Sequence, residues 1–227
     1  MKKIKIIKDG PYLVSGGVPL SELVITNSNG SNVYTKGREI KTDGDYALCR
    51  CGHSKDKPFC DGSHRTAHFS GKTTAAKESF SEQAVKYTGE NIILEDVENL
   101  CAFARFCHHQ KQNVWDLTEY SNNRADEELA VKLACDCPAG RLVMYDKQSG
   151  QAIEPTYDES IVVLQDLSGD CSGPLWVRGG VAIEDEDGNI LGKRNRVTLC
   201  RCGESQNKPF CDTTHSGIKF KDDYFKQ

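Results

Sequence analysis

CRCGHSKDKPFCDGSH, residues 49–64, returns near the other end of the chain as CRCGESQNKPFCDTTH, residues 200–215. Three cysteines and one histidine keep the same spacing in both copies, and the Lys-Pro-Phe-Cys-Asp core is unchanged. The repeated positions are Cys49, Cys51, Cys60 and His64 in the first copy and Cys200, Cys202, Cys211 and His215 in the second. A repeat of metal-binding residue types at fixed spacing predicts two metal sites of one kind.

The spacing of these residues argues against an ordinary zinc site. Paired zinc cysteines usually have two to four residues between them, so that both reach one tetrahedral ion, whereas Cys49 and Cys51 have one. Cys60 and His64 are four residues apart, which puts them on one face if a helix begins there, and Asp61 can accept hydrogen bonds from its first N–H groups. We therefore expect a [2Fe-2S] cluster in each motif, with the two loop cysteines on one iron and the cysteine–histidine pair on the other.

A histidine ligand changes what such a cluster does. Replacing a thiolate with a neutral imidazole removes one negative charge, which raises the reduction potential. Histidine can also take up a proton, and protonation competes with metal binding. We expect sites that couple electron uptake to protons and that release their clusters more readily than sites built only from cysteine.

Both motifs resemble the CDGSH iron–sulfur (mitoNEET-like) family. That family shows Cys-x-Cys, a spacer containing Ser, then Pro-x-Cys-Asp-Gly-Ser-His and an aromatic residue. Here Phe69 and Phe220 follow the two histidines at the same distance along the chain. The second motif has Thr213 and Thr214 where the family usually has Gly and Ser, which questions its loop geometry more than its metal binding. Single-motif members pair as homodimers under a shared β cap, so the resemblance implies that the two copies here pair within one chain about a pseudo-twofold axis.

The repeat extends beyond the motifs. Residues 3–18 and 160–181 each read as strand, turn and strand between Gly and Pro breaks, and a short strand precedes each cluster loop. We expect an α+β fold, mostly β, in which two small β modules each carry a cluster loop and a short helix. The predicted domains are an N-terminal CDGSH module at residues 1–80, a ferredoxin-like α+β middle domain at 81–159 and a C-terminal CDGSH module at 160–227.

The middle region has cysteines of its own, namely Cys101, Cys107, Cys135 and Cys137. A helix is predicted over about residues 125–134, since acidic residues begin it and leucines share one of its faces, and a hairpin is predicted to follow. A cysteine followed by proline is typical of ferredoxins. The segment resembles divergent single-cluster ferredoxin domains, with Cys101, Cys107 and Cys137 at the matching positions and Cys135 as an additional candidate ligand. A [3Fe-4S] cluster, a [4Fe-4S] cluster and a metal-free ferredoxin-like shape all stay open.

Composition and charge limit the kinds of partner and the cellular location that can be expected. The 227 residues carry a net charge of −4 without a long basic run, which gives nucleic-acid binding no support. The first residues lack the apolar core of a signal peptide, and no stretch approaches the length of a membrane span. Eleven cysteines, mostly at ligand spacing, then indicate metal binding rather than disulfides. We expect a cytoplasmic protein without a membrane anchor.

These features favour electron transfer between redox partner proteins. A second interpretation is a cluster carrier, or a redox or pH sensor, that hands clusters to apo-protein acceptors. An enzyme with its own substrate is least supported, because the sequence shows no Ser/His/Asp set, phosphate loop or nucleotide fingerprint. The internal pairing also predicts a monomer that is an intramolecular pseudo-dimer.

Overall fold

The structure, a computed structural model, describes residues 1–120 and 123–226. The strands are β1 (Lys3–Ile6), β2 (Tyr12–Ser15), β3 (Leu20–Ser28), β4 (Ser31–Lys36), β5 (Tyr46–Leu48), β6 (Val85–Thr88), β7 (Ile92–Asp96), β8 (His108–His109), β9 (Gln112–Asn113), β10 (Leu142–Asp146), β11 (Ala152–Ile153), β12 (Ser160–Asp166), β13 (Cys171–Arg178), β14 (Ala182–Glu184), β15 (Ile190–Leu191) and β16 (Arg196–Leu199). The helices are α1 (Phe80–Gln83), α2 (Val114–Tyr120), α3 (Arg124–Cys135) and α4 (Thr214–Gly217), with 3₁₀ turns at Glu98–Leu100 and Asp223–Lys226. The predicted class, α+β and mostly β, is confirmed.

The two halves of the chain exchange strands. One sheet has the order β5-β2-β1-β14-β15 and the other has the order β16-β13-β12-β3-β4. Each is built from three strands of one half and a hairpin of the other half, joined by the parallel pairs β1–β14 and β3–β12. The two sheets therefore repeat one arrangement about a pseudo-twofold axis, as the family resemblance of the two copies implied.

The strand patterns explain which faces pack together. In β1 the burial alternates, so Ile4 and Ile6 are inside while the two lysines face outward. Strand β12 lies between two neighbours and is buried along its whole length. Ile4 and Ile6 share one core with Ile161 and Val163 of the second half. Each fully buried side chain of this size stabilises the fold by about 1.5–3 kcal/mol, so the β cap is held together chiefly by this common core.

The middle domain is a second packing unit. Its sheet has the order β11-β10-β7-β6, and helices α2 and α3 contribute to a core that includes Leu94, Leu133 and Met144. Helix α3 begins after Asn123, whose side chain accepts a hydrogen bond from the N–H of Asp126 at 3.0 Å. The predicted helix and hairpin of this region are both confirmed.

The short helix predicted after each cluster loop forms fully in one copy only. In the C-terminal copy it is the single turn α4, whereas in the N-terminal copy residues 63–68 are hydrogen-bonded turns. The N–H of Ala67 does bond to the oxygen of Ser63 at 3.0 Å, so the backbone begins a helical turn and does not complete it. Among the residues that the structure describes, no helix is long and apolar enough to cross a membrane.

Candidate metal centres

Each cluster loop is fixed by the strand that precedes it. An isolated bridge pairs Leu48 with Phe59, and the N–H of Cys49 donates to the oxygen of Pro58 at 2.8 Å. The N–H of Cys60 donates to the oxygen of Ala47 at 2.9 Å, which brings the third cysteine back beside the first two. The second copy repeats these contacts with Leu199–Phe210, Cys200–Pro209 at 2.8 Å and Cys211–Thr198 at 2.9 Å.

The aspartate after the third cysteine caps the turn that carries the histidine. Asp61 accepts hydrogen bonds from the N–H groups of Ser63 at 2.9 Å and Lys55 at 2.8 Å, as predicted for a capping residue. These bonds lower the pKa of Asp61 below its usual value. Thr213 adopts φ of +79°, close to the +88° of Gly62. The substitution of threonine for glycine therefore leaves the loop backbone unchanged, although a β-branched residue is strained there.

The four donors of each motif lie in two close pairs. The sulfurs of Cys49 and Cys51 are 3.8 Å apart, and the Cys60 sulfur is 3.4 Å from Nδ1 of His64. The corresponding distances in the second copy are 3.7 Å and 3.2 Å. Two sulfurs bound at about 2.3 Å to one tetrahedral metal stand about 3.8 Å apart, and a sulfur and an imidazole nitrogen about 3.5 Å apart. Each pair therefore has the separation that two ligands of one metal ion require.

The pairs do not merge into a site for a single ion. Within residues 1–120 and 123–226, no group of three His, Cys, Asp or Glu side chains converges as one metal ion would need. Two pairs fit a binuclear centre, because each iron of a [2Fe-2S] cluster takes two protein ligands. In each copy one thiol of the Cys-x-Cys pair is disposed to ionise, since a hydrogen bond from Cys51 lowers the pKa of Cys49 to about 6. Cys202 acts in the same way on the pKa of Cys200, which falls to about 7.

The two cluster loops pack back to back across the pseudo-twofold axis. Gly52, with φ of +79°, faces the backbone of Cys202, and a Cβ atom placed on it would be 2.3 Å from the Cys202 carbonyl oxygen. Gly203 faces Cys51 in the same way, at 2.5 Å. The loops also cross-link to the cap, because the hydroxyl of Tyr12 in the first half donates to the carbonyl oxygen of Cys200 at 2.8 Å. The two sites are thus joined directly through the backbones of their loops.

The surroundings of the two histidines differ. Cys60 and His64 are both half-buried, whereas Cys211 and His215 are each 3% exposed. Burial, followed by the positive charge of Arg201, lowers the pKa of His215 to about 4. The two motifs therefore have one geometry and two different exposures to solvent.

Three of the four middle cysteines lie together. Burial, followed by the charges of Cys137 and Cys101, raises the pKa of Cys107 to about 12, and Cys107 packs against the hydrophobic cluster that contains Cys137. Cys135 has other neighbours: its thiol donates to the oxygen of Ile153 at 3.5 Å. Arg196 is the first of the charges that act on Cys135, and the other three cysteines are not among its principal interactions.

The middle thiols adjoin the C-terminal motif. Cys101 is close enough for its charge to raise the pKa of Cys211, and Cys211 packs in the same hydrophobic cluster as Cys137. The side-chain amide of Asn207 donates to the oxygen of Asn99 at 2.8 Å, which ties the C-terminal cluster loop to the segment that begins the middle site. The cysteines of the middle domain therefore lie against the C-terminal motif.

Sequence reasoning missed the arginines that organise these contacts. The buried Arg196 of β16 donates to the carbonyl oxygens of Ala134, Cys135 and Cys137 at 2.8, 2.9 and 2.8 Å. Arg141 bonds to Asp96 at 2.7 Å and lies within hydrogen-bonding reach of the Cys101 thiol. The guanidinium of Arg105 donates two hydrogen bonds to the carboxylate of Asp166, at 2.8 and 2.7 Å. Each arginine acts on residues distant in sequence, and only Arg196 lies in a strand, so the local sequence gave little indication of these contacts.

Comparison with protein families identifies the class of protein. Residues 9–65 and 172–216 match the model of the iron-binding zinc finger of CDGSH type, and residues 87–147 match that of a divergent 4Fe-4S mono-cluster. The protein is an iron–sulfur protein. The chain contains two segments that match the CDGSH model, on either side of one that matches the divergent 4Fe-4S model, which confirms the resemblance predicted from the sequence. No curated protein and no solved structure matched the chain.

Proposed function

We propose that the protein is an electron carrier, not an enzyme, and that it passes single electrons between partner proteins. The cofactors are two [2Fe-2S] clusters and a third cluster of the [3Fe-4S] or [4Fe-4S] type. The ligands are Cys49, Cys51, Cys60 and His64 for the first, Cys200, Cys202, Cys211 and His215 for the second, and Cys101, Cys107 and Cys137 for the third. The observation that carries the proposal is the pairing of donors at 3.7–3.8 Å and 3.2–3.4 Å in both motifs.

The chain provides the conditions that a one-electron centre needs. An iron–sulfur cluster supplies a one-electron couple whose potential depends on nearby charge, hydrogen bonds and solvent. The cysteine pairs are nearly excluded from water, with Cys49 and Cys51 each 3% exposed. Loops packed against each other hold the donors in place, so little reorganisation has to accompany a change of charge.

Charged residues make the two CDGSH sites unequal. Arg50 and Arg201 follow the first cysteine of each motif and are both buried. Arg201 is neutralised by Asp222, at 2.5 Å, but Arg50 forms no ion pair within the described part of the chain, and its Nε is buried without a hydrogen-bond partner. The position equivalent to Asp222 is Gly71, which offers Arg50 only a carbonyl oxygen. An unneutralised cation favours an added electron, so we expect the N-terminal cluster to have the higher potential.

The experiment that tests the proposal is metal analysis of protein purified without oxygen, with EPR before and after dithionite. Seven or eight irons per chain, with matching acid-labile sulfide and an additional signal from the middle cluster, are expected. About four irons, with a [2Fe-2S] signal on reduction alone, would leave the middle domain metal-free. Zinc without iron or sulfide, together with failed reconstitution, would contradict the proposal.

A second function, cluster delivery to apo-proteins, is favoured by the half-exposure of Cys60 and His64. It predicts that cluster transfer to an apo-ferredoxin comes from the N-terminal site and that Cys60→Ser removes it. Cys211→Ser is the matched control, because this cysteine is buried, and transfer from its site is expected to be slow. Transfer that is equally fast from both sites, or absent, would count against the carrier function.

A further inference from the structure

An open groove lies beside the N-terminal motif. It is lined by Ile7–Gly10 on one side and by His64, Arg65, His68 and Phe69 on the other. His64 is half-buried at its edge, and Phe69 lies under the guanidinium of Arg50 at 5.4 Å. The groove therefore leads from solvent directly to the histidine of the N-terminal motif.

The same place in the C-terminal half is closed by a longer hairpin. Five residues, 7–11, connect the paired positions Ile6 and Tyr12, whereas eleven, 164–174, connect Val163 and Leu175. Within this extension, Gln165 pairs with Ser172 and Asp166 pairs with Cys171 across the two strands, and Cys171 is fully buried. The five-residue turn of the N-terminal half has no such extension, so His64 is not covered in this way.

The middle domain completes the closure of the C-terminal site. Arg105 binds Asp166 of the extension at 2.7–2.8 Å, and both residues lie near enough to His215 for their charges to act on it. Ser216, which follows His215, interacts with Cys171 of the extension. The C-terminal CDGSH site is thus covered by a loop of the ferredoxin-like middle domain, whereas the N-terminal site is open to solvent.

Two of the three charged side chains that line the free groove, Lys8 and Arg65, are positive, and the third is Asp9. Lys8 and Arg65 are exposed, and neither forms an ion pair among the residues that the structure describes. The carboxylate of Asp9 accepts a hydrogen bond from the N–H of Gly71 at 2.8 Å. Asp61, beside the groove, is engaged by backbone donors. The lining of the groove therefore carries one net positive charge, on a chain whose net charge is −4.

We infer that this groove is the docking surface for an acidic redox protein, which exchanges electrons with the chain at the His64 edge. The inference rests on the proposed electron-transfer function and adds the location and charge of the partner. Unpaired cations around an exposed redox site attract a complementary acidic patch and speed productive encounter. They also repel a cationic loop, so the Arg105 loop of a second copy is a poor occupant of this groove. Arg65 follows His64, whereas the equivalent residue after His215, in the covered site, is the neutral Ser216.

Electron exchange with two protein probes of opposite surface charge tests the inference. Stopped-flow spectroscopy would follow electron transfer to the cluster-loaded chain from a chemically reduced acidic plant-type ferredoxin, and from reduced chain to basic cytochrome c, at increasing salt. The variant is Lys8→Glu with Arg65→Glu. The control is Lys41→Glu with Lys193→Glu, which makes the same change in net charge at two exposed lysines outside the groove.

The groove variant should slow exchange with the acidic ferredoxin about tenfold at low salt, and the difference should disappear at high salt, while the control changes it little. An equal loss in the groove variant and the control would show an effect of net charge and overturn the inference. Electron transfer to cytochrome c that the groove variant slows, or self-association that the groove variant abolishes, would also overturn it. Clusters that dithionite cannot reduce would instead contradict the proposed function itself.

Discussion

Arg50 and Arg201 occupy one position of the repeat but differ in what neutralises them. The difference arises seven residues after each histidine, where the first copy has Gly71 and the second has Asp222. Gly71 cannot acquire a side chain without a shift, because a Cβ atom there would be 2.1 Å from Nη2 of Arg50. The glycine thus leaves room for the arginine and leaves its charge uncompensated.

Replacing Asp222 with Asn should raise the reduction potential of the C-terminal cluster, because Arg201 would lose the negative charge that neutralises it. Asn has the same shape as Asp, so the packing around Arg201 should be kept. A shift on the order of tens of millivolts is expected, and it should reduce the difference between the two CDGSH potentials. Redox titration followed by EPR measures it. Asp170→Asn is the control, since Asp170 is an exposed partner of Lys221. Potentials that stay unchanged in both variants would contradict the role given to Asp222.

Cys135→Ser should leave iron content and the EPR signal of the middle cluster unchanged, because its thiol is bonded to Ile153. Cys137→Ser, two residues away, should remove about three or four irons per chain, since Cys137 adjoins Cys107 and Cys101. Iron and sulfide analysis of both variants decides whether the additional cysteine is a ligand, as the sequence allowed. A loss of the middle cluster in Cys135→Ser would establish a four-cysteine site.

The cluster loops are also the elements that join the two halves near the axis. Each loop turns at a glycine of positive φ, and each glycine faces the backbone of the other loop. The contact leaves no room for a side chain on either side. The loops therefore act as packing elements between the modules as well as holders of the metal ligands.

Gly52→Ala should destabilise the protein by about 3 kcal/mol, because it adds backbone strain and a clash with the Cys202 carbonyl. Gly188→Ala separates these effects, since Gly188 has φ of +90° and open space around its Cα. The control should cost only the strain, about 1 kcal/mol. Urea denaturation of the loaded protein gives both values. Equal losses would mean that the close approach of the loops contributes little to stability.

At the level of the whole molecule, Arg196 connects the middle domain to the C-terminal module. Its guanidinium is buried and also pairs with Glu154 at 2.5 Å. The equivalent residue of the first copy is Asp45, just before the matching strand β5, so this arginine is present in one half only. The middle domain is thereby held against the C-terminal site, and the N-terminal site keeps its access to solvent.

Arg196→Gln should cost about 3 kcal/mol, because it leaves Glu154 and several buried carbonyl oxygens without their partner. Hydrogen exchange should accelerate first at residues 134–142, where the arginine holds the end of α3. Lys132→Gln is the control: Lys132 pairs with Asp136 on the surface, and its loss should cost at most about 0.5 kcal/mol. Exchange that accelerates equally throughout the chain would argue against a local connection.

Much of the fold and of the candidate sites followed from local signals. The repeat of Cys, His and Pro-Phe-Cys-Asp identified both motifs, and the Gly and Pro breaks identified the hairpins of the cap. The helix at Arg124–Cys135 followed, to within one residue at each end, from the acidic residues at its start and from its apolar face. The incomplete helix after Cys60 was not predictable, because a single turn depends on one or two hydrogen bonds that the tertiary setting decides.

The sequence by itself determined that there are two metal motifs of one kind, that they belong to equivalent β modules and that a cysteine-bearing domain lies between them. Ligand type and spacing are local properties, so the repeat was sufficient for this. Only the tertiary structure decided that the motifs are unequal. Strand exchange, the longer hairpin before Leu175, and the arginines at 105 and 196 bring together residues far apart in the chain, and these contacts bury His215 and leave His64 beside an open groove.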